Sequence, residues 1–167
     1  YYKAERIFQA DVSNHIEKVE LKDNYSITET PRLLFVKYLA DLKVTEALAR
    51  SNGKNEKADA ISQWFDKFTS LLRKIFGDDS LEEEKFSFQI REKGREPFDF
   101  NTLSSGFAAV LDIVLDIIIR MEKKTNRSFD FNIPGIVLVD EIETHLHIEL
   151  QKSVLDLLTT IFPNIQF

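Results

Sequence analysis

Between Thr30 and Gly53, apolar side chains return every three or four positions, at Leu34, Tyr38 and Leu42 and then at Leu48 with Val44, which predicts a helix with one face toward a core. Thr30 suits the N-cap and Pro31 the first helical position, where a missing N–H is no loss. Asn55 can cap a second helix in which Ala58, Ile61, Phe65, Phe68, Leu72 and Ile75 form the stripe, and Gly77 can end it. The pair reads as a helical hairpin. Trp64 lies on or near that stripe and reads as core packing rather than as a platform for stacking bases.

Farther on, the period changes to two. Phe86, Phe88 and Ile90 alternate with Lys85, Ser87 and Gln89, the pattern of a half-buried strand, and Lys93-Gly94-Arg95 supplies a turn before a second short strand over 98–100. A helix over 105–123 buries Phe107, Val110, Leu111, Val114, Leu115, Ile118 and Met121, while Asp112 and Asp116, one turn apart, predict a wet face. Its apolar stretch is too short to cross a bilayer, and no signal peptide or membrane span is found. After a polar loop over 123–132, Pro134-Gly135 introduces Ile136, Val137, Leu138 and Val139, an uninterrupted apolar run that predicts a parallel strand buried on both faces. An amphipathic helix over 148–161 then leads through Pro163 into a last strand at 164–167.

Strand, helix and strand in that order predict a right-handed parallel crossover, so the fold class is α/β, a parallel sheet with flanking helices. We divide the chain into an unassigned part, 1–29, a helical hairpin insertion, 30–77, and a sheet-bearing part, 78–167. Residues 5–27 hold no period long enough to decide between helix and strand. A start at Tyr1-Tyr2 and an end inside a strand read as a fragment of something longer.

Composition narrows the function. With 167 residues, of which 43% are hydrophobic, the chain can build one domain with a real core. A net charge of -6 and a pI near 5.2 argue against a wholly basic nucleic-acid surface. Two local clusters, Arg120, Lys123, Lys124 and Arg127, and Arg50, Lys54 and Lys57, could contact a phosphate backbone, but their places near helix ends suit solvation equally. The absence of cysteine excludes a disulfide framework and a thiolate metal site and is compatible with the cytoplasm, the expected location.

The chemistry concentrates where the apolar run ends. A strand buried on both faces exposes ionisable residues only where it emerges, at its carboxyl end, the usual ligand crevice of an α/β sheet, and Asp140 and Glu141 fall there. Such a pair suits metal-assisted phosphoryl transfer, the first carboxylate holding magnesium and the second acting on water. Upstream, Leu103-Ser104-Ser105-Gly106 opens the long apolar helix, and serine hydroxyls with free N–H groups there can form an anion site or simply cap the helix. His145 and His147 with Glu141 or Glu143 leave open a small transition-metal site.

Together, Ile136-Val137-Leu138-Val139-Asp140-Glu141, the following Glu143-Thr144-His145-Leu146-His147 and the upstream Leu103-Ser104-Ser105-Gly106 resemble the Walker B segment, D-loop and signature loop of ABC-type P-loop ATPases. The likeness is to their SMC-like and OLD-like AAA group, including ATPases of bacterial anti-phage defence such as the retron and Septu types. It implies ATP and Mg2+ as cofactors, Asp140 as metal ligand and Glu141 as catalytic base. It also implies that Leu103, Ser104, Ser105 and Gly106 reach a nucleotide held by the opposite subunit, with His145 and His147 at that interface. Self-association as a dimer or higher oligomer and a nuclease effector partner follow from the same resemblance.

The pattern departs in two places: Ser105 stands where the family often has glycine, and His147 where transporter-type members have aspartate. No Walker A is present, since Gly53-Lys54-Asn55 lacks the earlier glycine and the hydroxyl residue, and the family's switch histidine would follow the last strand. A DNA-repair or SMC-like ATPase acting on nucleic acid and a non-catalytic interaction module remain as alternatives.

Overall fold

A computed structural model of the chain describes residues 18–79, 105–144 and 146–167, with Ser105 by its backbone alone, and the backbone of three short strands between the first two stretches. The expectations for residues 1–17, for Phe86 and Phe88, for the Lys93-Gly94-Arg95 turn, and for Leu103, Ser104 and His145 lie outside the described residues.

Pro31–Leu34 forms a 3₁₀ turn that runs into α1, Phe35–Ser51, and a turn at Asn52 and Gly53 leads to α2, Asn55–Phe76. Neither expected cap operates: the Thr30 side chain makes no capping bond, and Asn55 is already the first helical residue. Gly77 does close α2, in the left-handed conformation at φ 66° that glycine adopts without steric cost. The buried face of α1 carries Phe35, Tyr38, Leu39, Leu42 and Ala49, whereas Leu48 is 58% exposed, contrary to expectation. Ten residues at about 100° each leave Leu48 roughly 80° around the helix from Tyr38, off the stripe. On α2 every expected stripe residue is buried, and Trp64 lies in the core with its ring edge against Phe129, centroids 4.8 Å apart.

Three short strands, β1 (Glu82–Glu83), β2 (Gln89–Arg91) and β3 (Phe98–Asp99), pair antiparallel in that order. Helix α3, Ser105–Lys124, is buried all round from Ala109 to Ile119. This overturns the wet face expected for Asp112 and Asp116, each only 2% exposed. Their carboxylates are covered by cations instead of water. Arg32 pairs with Asp112, and Asp116 accepts from the Arg32 backbone N–H (3.2 Å) and from Nε of Arg120 (2.7 Å).

Strand β4, Gly135–Ile136, pairs parallel with β5, Ile165–Gln166, across α4, Ile148–Ile161, which realises the predicted strand–helix–strand unit. The register sets Gly135 opposite Ile165, and Val137 extends the pairing by donating to the Gln166 carbonyl at 2.9 Å. Burial on both faces is not found. Val137 and Val139 pack on the core while Ile136 and Leu138 are 73% and 63% exposed, because among the described residues the apolar core lies against one face of this run.

One continuous apolar cluster joins α1, α2, α3 and α4. Inside it the Glu122 carboxylate, fully buried, accepts from the Tyr38 hydroxyl, from Nε1 of Trp64 (2.9 Å) and from the Phe129 backbone N–H (3.0 Å). Burial pushes its carboxyl above the usual value of 4.5, against the pull of those donors, and burial beside that carboxylate also raises the Tyr38 phenol, which stays a donor. A second buried acid, Asp41, accepts from Arg127 (3.0 Å) and from the Val19 N–H (3.3 Å), while Arg127 also donates to the Val19 carbonyl (2.7 Å). The segment before α1 is thereby tied to the turn after α3.

Replacing Glu122 with Ala strands those donors and opens a cavity, so urea denaturation should show a loss of about 3 kcal/mol. Because the native carboxyl titrates above 4.5, the folded state binds the extra proton, and stability from Glu122 falls as pH rises from 4.5 through the raised value. The stability advantage of wild type over Glu122→Gln should therefore shrink over that interval. Gly77→Ala should cost about 1 kcal/mol by the same measurement, since a Cβ there meets no atom within 4 Å and only the positive φ opposes it.

Candidate active site

The apolar run beginning at β4 emerges at Asp140, and both Asp140 and Glu141 are exposed to solvent. The chain turns at once. Glu141 has φ 46°, in the left-handed region that non-glycine residues avoid at a cost of roughly 1–2 kcal/mol. The turn closes through the Thr144 N–H, which donates to the Glu141 carbonyl at 3.0 Å, and the Thr144 hydroxyl donates to Oε2 of the same glutamate at 3.2 Å. Asn126, Arg127 and Phe129 in the turn after α3 also have positive φ, so at Glu141 the strain marks a tight turn held by surrounding contacts.

Beyond the turn, His147 occupies the N-cap position of α4 with an extended backbone, φ -65° and ψ 150°, and its exposed side chain makes no capping bond. Gln151 fixes this junction. Its backbone N–H donates to the His147 carbonyl (2.9 Å), and its side-chain amide donates to the carbonyls of Leu146 (2.9 Å) and Glu143 (3.3 Å). Neither Thr144 nor Gln151 carried an expected role. The available signals were their places: three residues after Glu141 at a turn, and four after His147 on a helix.

Of the signature-like residues, Ser105 begins α3 and Gly106 is buried in its first turn, while Leu103 and Ser104 lie outside the described residues. Phe107 anchors that end of α3 on Phe76, the last residue of α2, with ring centroids 4.8 Å apart. The structure thus places Asp140, Glu141 and Thr144 at one turn, with His147 beyond it at the start of α4, and His145 lies outside the described residues.

Among the described residues no three His, Cys, Asp or Glu side chains are grouped to hold a metal ion. Magnesium needs less, because it keeps much of its water shell and takes one or two carboxylates with substrate phosphates. The exposed oxygen donors of Asp140 and Glu141 fit that demand. The arginines of the two basic clusters are engaged within the protein: Arg120 with Asp116, Arg127 with Asp41, and Arg50 with Glu46 and Asp59.

The chain is 30% identical over 155 residues to the Septu protein PtuA of Bacillus mycoides (strain KBAB4), an alignment covering 91% of this chain and 20% of that protein. It is 28% identical over 170 aligned positions to the Retron Ec83 probable ATPase of Escherichia coli, covering 97% of this chain and 29% of the relative. It is 41% identical over 80 residues to the Retron Vc95 probable ATPase of Vibrio cholerae serotype O1 biovar El Tor, covering 47% and 15%. The chain thus spans between 15% and 29% of the length of these relatives. No solved structure matches it. The family described as "AAA domain, putative AbiEii toxin, Type IV TA system" matches residues 16–167, nearly the whole chain, and this α/β protein belongs to that family of AAA ATPase domains.

Proposed function

We propose that this chain supplies the hydrolytic carboxylates of an ATPase that dimerises around nucleotide and, in anti-phage defence, regulates or positions a nuclease effector. One observation carries the reading: two adjacent exposed acids where the apolar run that begins at β4 ends, the second held in a left-handed turn. The named relatives, two of them probable ATPases of retrons, support the choice of reaction and setting.

In this mechanism Asp140 would hold magnesium, and the ion, when bound, would screen the phosphate charge. Glu141 orients a water molecule and takes its proton as the oxygen bonds to the γ-phosphorus. The bond from phosphorus to the bridging oxygen breaks, and ADP leaves with the electron pair. Leu103, Ser104, Ser105 and Gly106 contact the nucleotide of the opposite subunit, and His145 and His147 line the shared interface. Residues 30–77 act as a helical insertion beside the signature-to-Walker B part, 78–167. The internal pairing of Arg120, Arg127 and Arg50 argues against a direct grip on nucleic acid by these arginines. Among the described residues no helix is long and apolar enough to cross a membrane, and we place the protein in the cytoplasm.

In the full-length protein, Glu141→Gln should lower ATP turnover by about a thousandfold or more while leaving nucleotide binding and nucleotide-dependent pairing intact. Phosphate release and sedimentation with and without ATP would check both, and wild-type turnover in this variant would overturn the base assignment. Asp140→Asn should raise the magnesium concentration needed for half-maximal turnover, read from a magnesium titration.

A further inference from the structure

Thr144 touches Glu141 twice, with its N–H on the backbone carbonyl and its hydroxyl on the carboxylate. The two bonds act on different degrees of freedom. The first closes the turn that keeps Glu141 at φ 46°, and the second limits the rotation of an exposed side chain. We propose that Thr144 is a positioning residue for hydrolysis, aiming the Glu141 carboxylate at the attacking water; this rests on the base role proposed above.

The chemistry suits the task. A hydroxyl donor fixes the direction of a carboxylate, and orientation of the reacting groups is a large part of the rate in phosphoryl transfer. Thr144 is itself held. The next turn closes on it through the Leu146 N–H bonded to the Glu143 carbonyl, and the Gln151 amide ties both carbonyls to α4. The alignment of base and hydroxyl is thus referred to a helix whose Val154, Leu158 and Ile161 are buried in the core.

In the full-length ATPase, Thr144→Val keeps the shape and the backbone bond but deletes the hydroxyl. Its kcat should fall about tenfold with the KM for ATP within about twofold of wild type, and Thr144→Ser should restore most of the rate. On the residual rate of Glu141→Gln, adding Thr144→Val should change nothing further. A valine variant with wild-type kcat, a serine variant as slow as valine, or a defect confined to KM would each overturn the inference. Should the valine protein fail to fold, the serine and alanine variants decide the same question: serine near wild type with alanine slow sustains it, and equal rates overturn it. Normal turnover in Glu141→Gln sinks the base reading itself, whereas an inactive Glu141→Gln beside a fully active Thr144→Val sinks the Thr144 assignment alone.

Discussion

A carboxylate sealed inside an apolar core is tolerable only when donors converge on it, and at Glu122 they come from separate parts of the chain. The Tyr38 hydroxyl arrives from α1, the Trp64 indole from α2, and the Phe129 N–H from the turn beyond α3. Apolar packing could accept several sliding arrangements of these elements. Three directional bonds to one acid permit far fewer, so Glu122 gives the helical layer its register, and the aromatic rings of Trp64, Phe68 and Phe129 fill the space around it.

That register is passed on to the candidate site. The turn fixed at Phe129 starts the loop that delivers β4, and Phe131 meets Phe162 edge-on across its other side, where the end of α4 meets the entrance to β5. The run that begins at β4 therefore leaves a hydrogen-bonded layer and ends in a turn with Glu141 at positive φ, which suits the role proposed for that residue. The buried pair of Asp112 and Asp116 serves the same layer, binding the segment before α1 to α3 through Arg32.

The chain belongs to an AAA ATPase family and is similar to retron and Septu proteins. The alignments cover most of this chain but a small part of each relative. On the proposed reading, this chain brings to such a protein the acidic turn and the helix that begins at the signature-like residues. The division of labour seen in the structure is consistent with it: buried acids hold the scaffold, and exposed acids face solvent where a substrate can arrive.

Much was legible in the residues alone. The stripe from Ala58 to Ile75, the stop at Gly77, the helix from Ser105 and the strand–helix–strand order around Asp140 follow from local periodicity and turn chemistry, which depend on near neighbours in the chain. The positions of Asp140 and Glu141 at a strand's end were legible for the same reason. Distant partners were not. Asp112 and Asp116 look solvent-facing until Arg32 is brought across to them, and Leu48 looks buried until the face of α1 is chosen by Phe35 and Leu39. The exposure of Ile136 and Leu138 depends on which face of the run from β4 the helices cover. Sequence determined the elements and the chemical groups at their ends; tertiary structure decided which charges meet and which way each face points, because those depend on contacts between residues far apart in the chain.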